Sequence, residues 1–335
     1  MKAVLLTETG GPDKLTIGEI PTPSPGPGEV RVKLKAAALN RRDFWITIGL
    51  YPNMKLPCTA GSDGAGVIDE VGKGVDAKLK GREVVIYPAR NWGEDPRTFG
   101  PDFKILGMPD QGTFAEYICV PAGDVHDKPA HLSFEEAAAV PLAGLTAWRA
   151  VVTQAEVRKG DKALITGAGS GVSTFAIQWA AQHGAEVWVS SGSAEKIEKA
   201  KSLGAKGGGI YREPDCYKNL GKQAGGFDFC IDSAGGDAVN DILDALKPGG
   251  RFVFFGATLG VPSKAADLRR LFFRHIRIQG TTMGTPAEFR AMLEFLTKRK
   301  LKPVVHSVLP MEKAAEAHRL LEKFSQTGKV VLKIA

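Results

Sequence analysis

The sequence predicts an α/β protein made of a doubly wound parallel sheet domain and a second, mostly β domain. Residues 1 to about 120 read as short β-rich runs broken by turns. From Ser133 onward, apolar strands alternate with amphipathic helical stretches, the pattern of a parallel sheet covered on both faces. The first of those strands runs into a glycine-rich turn, Gly167 to Ser173, that opens a helix. A chain of 335 residues has room for two domains, and 43% apolar against 24% charged residues suits ordinary folded cores.

In the first half the β-rich runs fall at 3–7, 30–37, 66–71, 84–87 and 113–120, and the Pro- and Gly-rich stretch 21–28 reads as a loop between strands. The period changes at Ser133, where Glu136 three residues later gives a capping-box spacing ahead of an Ala-rich helix. Strands are then expected at 163–166, 187–190, 227–231, 251–255 and 276–279. Thr285 and Glu288 repeat the capping-box spacing with Pro286 at the first helical position, and Phe289, Met292, Leu293 and Leu296 form the apolar stripe of that helix. A last strand is expected at 329–334. The division predicted is 1–123, completed by 285–335, for the β domain and 124–284 for the parallel sheet.

The 44 basic and 37 acidic residues leave a net charge of +7, but the basic residues are scattered, so no nucleic-acid surface is expected. Cys58, Cys119, Cys216 and Cys230 lie far apart without a CxxC pair, which excludes a cysteine-rich zinc knuckle or a disulfide framework. No leader-like segment or membrane-length apolar run stands in the sequence, and a cytoplasmic location is expected.

Candidate binding residues start at the turn. Gly167, Gly169 and Gly171 allow a tight bend and close backbone approach to a pyrophosphate, and Ser170 and Val172 sit where helix-start amides face that anion. Ser173 stands where a third glycine is usual, so either a shifted helix or a hydroxyl contact to phosphate is expected. The second strand ends in Ser190, Ser191, Gly192 and Ser193, without the acid that accepts a ribose 2′-hydroxyl. Small hydroxyl residues with Lys196 beyond them leave room and charge for a 2′-phosphate, which favours NADP(H). Asp232 and its glycine-rich loop follow the strand expected at 227–231. The run Lys247-Pro248-Gly249-Gly250 also occurs in doubly wound methyltransferases and by itself leaves a methyl donor open.

The segments Gly61-Ser-Asp-Gly-Ala-Gly-Val, Gly112-Thr-Phe-Ala-Glu-Tyr and Pro141-Leu-Ala-Gly-Leu-Thr-Ala, in this order with the glycine-rich turn, resemble the medium-chain dehydrogenase/reductase superfamily over nearly the whole chain. The resemblance implies a GroES-like catalytic domain formed by the N-terminal half and the C-terminal tail, a Rossmann domain between them, and a homodimer. Zinc alcohol dehydrogenases of that superfamily carry a Cys and a His where this sequence reads Asn40 and Ser62, and the region 87–111, which matches their structural-zinc lobe, contains no cysteine. The sequence therefore resembles the zinc-free, quinone oxidoreductase-like branch, and no bound metal is expected. In that branch Asn40 and Asp43 match an Asn-x-x-Asp pattern lining the nicotinamide pocket, and Lys196 and Tyr211 match residues around the 2′-phosphate.

The activity these readings imply is hydride transfer from NADPH to a small carbonyl or quinone acceptor already polarised by conjugation. Asn40 is the candidate partner for the substrate carbonyl or the carboxamide of the cofactor, and Tyr51 the nearest candidate proton donor. Thr146, through its hydroxyl, and the backbone of Gly256 and Ala257 are candidate contacts to the nicotinamide. Trp92, Phe99 and Phe103 are read either as shaping a substrate or dimer surface or as loop packing. The alternative of another class is a non-catalytic NADPH-binding protein with a crystallin-like structural or RNA-binding role.

Overall fold

The computed structural model describes residues 1–334, and the chain separates into two compact units: Met1–Ala143 with the segment from Thr285 onward, and Gly144–Gly284. The first unit extends past the expected limit at Gly123. The short helix Phe134–Ala138, capped by Ser133 and Glu136 as the spacing predicts, packs on strands Glu29–Ala38 and Asp63–Val71 of that unit. Ala137 and Ala138 of the helix are fully buried, as are Ala36, Ala37 and Ala38 at the end of the strand it packs on.

The main sheet of the first unit runs in the order Val305–Pro310, Lys329–Lys333, Glu29–Ala38, Asp63–Val71, Glu83–Ile86, Val125–Asp127, with Tyr117–Pro121 also paired to Glu29–Ala38. Val30, Val32 and Leu34 alternate into one core with Ile68, Val84, Ile86, Ile118 and Val120, the period-two pattern of a strand with one buried face. The C-terminal strand pairs antiparallel to the end of Glu29–Ala38, placing Val331 opposite Ala38, and Ala38 also lies opposite Asp63. Three strand ends thus meet beside Asn40. In the 87–111 region Phe99 and Phe103 stack at 4.5 Å and both meet Trp92 edge-on, so this trio packs chiefly on itself.

The second unit holds a six-stranded parallel sheet in the order Ala205–Ile210, Glu186–Ser191, Lys162–Ile165, Phe227–Asp232, Leu246–Phe254, Arg277–Gly280. Numbered by sequence this is 3-2-1-4-5-6, the doubly wound order in which the succession of strands reverses between the first and the fourth. The sequence reading misses the outer strand Ala205–Ile210 because its centre is Gly207-Gly208-Gly209, which carries no β signal. The packing supplies the reason for those glycines: added Cβ atoms would lie 2.8 Å from the Trp188 ring at Gly207, 2.7 Å from Val189 at Gly208 and 2.8 Å from Cys216 Sγ at Gly209. The Pro248-Gly249-Gly250 run, which precedes the strand expected at 251–255, lies within the strand Leu246–Phe254, whose register to its neighbour shifts between Phe227 and Phe229. A shift of this kind tolerates a proline that donates no ladder bond.

All four cysteines are free thiols, and among the described residues no helix is long and apolar enough to cross a membrane.

His318, on the helix Ala314–Glu322, is fully buried, with Nδ1 at 2.8 Å from the Ala314 carbonyl, Nε2 unpartnered and the Phe114 ring edge-on. Burial pushes its imidazole down to about 4. The unfolded chain takes up this proton below about pH 6.5 while the folded chain resists until about 4, so stability present at neutral pH is lost as pH falls through that window. His318→Leu is expected to remove about 2 kcal/mol of the stability difference between pH 7 and pH 5. Urea melts of both proteins at the two pH values measure it, and an unchanged difference refutes the assignment.

Candidate functional site

In the first unit Asn40 precedes the helix Arg41–Thr47 and ends the run from Glu29–Ala38. Its side chain is held from both sides: Lys329 Nζ donates to Asn40 Oδ1 at 2.5 Å, and Asn40 Nδ2 donates to Asp63 Oδ2 at 2.9 Å. Lys329 also donates to Asp63 Oδ2 at 2.9 Å, and the Leu142 amide donates to Asp63 Oδ1 at 2.8 Å. The cluster is dry, with Lys329 3%, Asn40 7% and Asp63 0% exposed. A charge pair removed from water this completely is tolerated only when nearly every polar atom is matched, as it is here.

Asp43 lies below this layer rather than on its surface. Its Oδ2 accepts from the Asn40 backbone amide at 2.7 Å, its Oδ1 has no hydrogen-bond partner, and it is wholly buried. Burial pushes its carboxyl up to about 6, opposed by the nearby Arg42 guanidinium. Asp43 therefore positions the Asn40 backbone.

The buried Arg42 organises the rest. Its Nη1 donates to Ser62 Oγ at 2.6 Å and to the Leu106 carbonyl at 2.7 Å, Nη2 donates to the Met108 carbonyl at 3.2 Å, and Nε donates to the Tyr51 hydroxyl at 3.1 Å. Its guanidinium also lies 4.6 Å from the Tyr51 ring centre. Tyr51 is thus half-buried, with its oxygen accepting and its hydrogen left to donate.

These residues do not fit a zinc ion. An amide, a hydroxyl engaged by Arg42 and a single carboxylate make a poor donor set, and an ammonium already holds two of the three. Among the described residues no group of three His, Cys, Asp or Glu side chains could hold a metal.

The second unit carries a cradle that fits a dinucleotide. Gly167, at φ 62°, turns the chain off the first strand, and the helix Gly171–Gln182 starts four residues on. The Ser173 and Thr174 amides are taken by Ser170 Oγ and Ser170 O, leaving those of Gly171 and Val172 as the helix-start donors for an anion. Ser173 departs from the expectation of a phosphate contact: it is buried, and its hydroxyl donates to the Thr166 carbonyl at 2.8 Å and bonds Ser170 Oγ at 2.7 Å. That bond ties helix to strand where a third glycine would otherwise allow close packing. Across the sheet's switch point, Thr166 Oγ1 donates to Asp232 Oδ1 at 2.6 Å, and Asp232 Oδ2 accepts from the Ala234 and Gly235 amides. Asp232 is therefore spent on holding its loop.

At the second strand's end, Gly169 lacks a side chain where Lys196 lies: a Cβ there would be 2.5 Å from Lys196 Cδ. A Cβ on Gly192 would be 2.7 Å from the Tyr211 hydroxyl. Ser191, Ser193, Lys196 and Tyr211 are thus gathered at one strand end, and the Tyr211 amide donates to the Ser191 carbonyl. Arg212, unremarked in the sequence, lies 5.6 Å from the Tyr211 ring centre. Gly256 lies in the loop after the fifth strand, where a Cβ would be 3.0 Å from the Ser233 carbonyl, with Ala257 beside Gly235. Thr146 is buried in the helix Pro141–Trp148.

Lys329 and Arg42 escape the sequence reading. A lysine at a strand start and an arginine beside Arg41 and Asp43 in a helix read as surface charge, and only their partners in the fold mark them; the one available signal is that Lys329 opens the apolar run Val330-Val331-Leu332.

The family model described as "Zinc-binding dehydrogenase" matches residues 171–298, and that described as "Alcohol dehydrogenase GroES-like domain" matches residues 26–130. The chain belongs to the medium-chain dehydrogenase/reductase superfamily. It is 36% identical to the zinc-type alcohol dehydrogenase-like protein YogA of Leptosphaeria maculans, over 96% of this chain and 94% of that protein. It is 29% identical to the quinone oxidoreductase of Homo sapiens, over 99% and 97%. A crystal structure described as an NAD-dependent alcohol dehydrogenase superposes with a TM-score of 0.95 at 42% identity, each chain fully covered. The protein is thus an oxidoreductase with a GroES-like domain and an NAD(P)-binding Rossmann domain. Both branches are represented among the relatives, the zinc-type alcohol dehydrogenase-like proteins at 36% identity and the quinone oxidoreductases at 28–29%. Within this superfamily the Pro-Gly-Gly strand belongs to the Rossmann sheet, and the methyl-donor reading falls.

Asp43 yields a stability prediction. Between its unfolded value of 3.8 and its folded value of about 6, the folded chain keeps a proton that the unfolded chain has released. Its contribution to stability therefore declines as pH rises through that window and is lowest above it. Asp43→Asn is expected to gain on the order of 2 kcal/mol relative to the parent protein between pH 4.5 and pH 7. Denaturant melts at both pH values test this, and a gain in the opposite direction rejects it.

Proposed function

We propose that this protein is a zinc-independent, NADP(H)-dependent reductase that transfers hydride to a quinone or an α,β-unsaturated carbonyl. The observation that carries the proposal is the Lys329 ammonium bonded to Asn40 and Asp63, in the layer where the zinc-dependent relatives place their metal ligands. With no Lewis acid to polarise a simple carbonyl, the suitable acceptors are those whose conjugation has already done so. When bound, the nicotinamide supplies the hydride.

The chain's own residues supply orientation and protons. Asn40 Nδ2 keeps one hydrogen beyond the one given to Asp63, and offers it to an acceptor's carbonyl oxygen. Tyr51, its oxygen engaged by Arg42, offers its hydroxyl proton to the enolate or phenolate that follows hydride addition. The preference for NADP(H) rests on Ser191, Ser193, Lys196, Tyr211 and Arg212 at a second-strand end that carries no carboxylate. Burial against the turn pushes the Lys196 ammonium down, and a 2′-phosphate would offset that cost.

Lys196→Ala is expected to weaken NADPH binding about 10-fold or more, the worth of one charge-assisted hydrogen bond, and to leave NADH binding nearly unchanged. Nucleotide fluorescence titrations with both cofactors decide it, and equal losses reject the NADP(H) assignment. Loss of nicotinamide absorbance on mixing NADPH with a panel of quinones and enones tests the activity. Tight binding without oxidation would favour the non-catalytic role.

We further propose a homodimer formed through the outer strand Arg277–Gly280, which among the described residues has no strand paired on its far side. Ile278 on this strand and Leu268, Phe272 and Phe273 on the helix before it are exposed, whereas Arg270 and Arg277 are paired to Asp244 and Glu156 within the chain. The charges that would oppose self-association are thereby neutralised. Ile278→Lys is expected to convert a species of twice the chain mass to one of the chain mass in sedimentation equilibrium, and a mass unmoved by the change excludes this edge.

A further inference from the structure

Lys329 has a property that the donor set around it lacks. An ammonium only donates hydrogen bonds, and an ionised carboxylate only accepts them. The Asn40 amide stands between the two, with Oδ1 at 2.5 Å from Lys329 Nζ and Nδ2 at 2.9 Å from Asp63 Oδ2. Turned over, the amide would point its hydrogens at the ammonium and its oxygen at the carboxylate, two repulsive contacts in a dry layer. Lys329 and Asp63 therefore admit a single orientation of Asn40, and Lys329 closes the arrangement by pairing with Asp63 directly at 2.9 Å.

We propose that Lys329 is a positioning residue for hydride transfer, fixing the Asn40 amide with its nitrogen, and not its oxygen, turned to the acceptor. The proposal rests on the functional reading given above, in which Asn40 donates to the acceptor's carbonyl. The strand pairing makes it specific: the Leu39 amide donates to the Val330 carbonyl at 2.9 Å, so the C-terminal strand delivers the lysine in register to the residue beside Asn40. A lysine one position away would face the opposite side of the strand.

The test is a double-mutant cycle on the full-length protein with NADPH and an enone or quinone acceptor. Asn40→Ala is expected to lower kcat about 100-fold, the worth of one oriented donor to a developing oxyanion. Lys329→Met is expected to lower kcat at least about 10-fold through disordered amide orientation, with the NADPH Kd moved by less than about 2-fold. In N40A/K329M the loss is expected to equal that of N40A alone, because a residue that acts only through Asn40 has nothing left to position. Lys329→Arg, which still only donates, is expected to recover part of kcat. Multiplying losses in the double variant, or a wild-type kcat in K329M, overturns the proposal. Should K329M lose its cooperative melt, D63N/K329M, without either buried charge, takes its place in the same cycle.

A spectroscopic arm separates this inference from the functional reading. In protein labelled with ¹⁵N-asparagine, the Asn40 side-chain NH₂ resonances, identified by their loss in N40A, are expected to shift and to exchange faster with water in K329M. Wild-type protein that oxidises no NADPH sinks the functional reading, whereas unmoved resonances in K329M sink the role of Lys329.

Discussion

A lysine ammonium buried against a carboxylate ties together three strand ends of the first unit: the start of Lys329–Lys333, the end of Glu29–Ala38 and the start of Asp63–Val71. Neither charge reaches water, so each is the other's compensation. Removing one partner of such a pair leaves a bare buried charge, at a cost of about 3 to 5 kcal/mol. The pair is weak as a source of stability and strong as a constraint on register, because any slip of the C-terminal strand would strand both groups. Asn40, the fully buried Asp43 below it and Leu142 above Asp63 all take their places from this point.

The same layer carries side chains unlike those of metal-dependent relatives. Where metal-dependent relatives need soft or imidazole ligands, this chain has an amide and a hydroxyl, and the positive charge comes from a side chain on the last strand. A fixed ammonium has little of a metal ion's power to polarise a carbonyl but is an effective device for orienting an amide. Arg42 plays a parallel part toward Tyr51, Ser62 and the backbone of Leu106 and Met108, donating to all four.

In the second unit the missing side chains matter as much as those present. Gly169 leaves room for Lys196, Gly192 for the Tyr211 hydroxyl, and Gly207, Gly208 and Gly209 for the neighbours that cover the outer strand. Only the first two stood out in the sequence, because they fall in a turn and at a strand end. The other three hid a strand, since a glycine run has no β propensity and its reason lies in Trp188 and Val189 on the neighbouring strand and Cys216 on the following helix.

By itself the sequence determined the alternation of strands and helices, the two capping boxes at Ser133 and Thr285, the glycine turn and the absence of an acid after the second strand. Each of these is a local pattern whose meaning is carried by residues a few positions apart. Tertiary structure alone decided that the Ser173 hydroxyl turns inward to Thr166, that Asp43 acts on a backbone amide, and that Lys329 meets Asn40 and Asp63 from the far end of the chain. The physical reason is burial: a charged or hydroxyl side chain reads as solvated until the fold shows which partner has replaced its water.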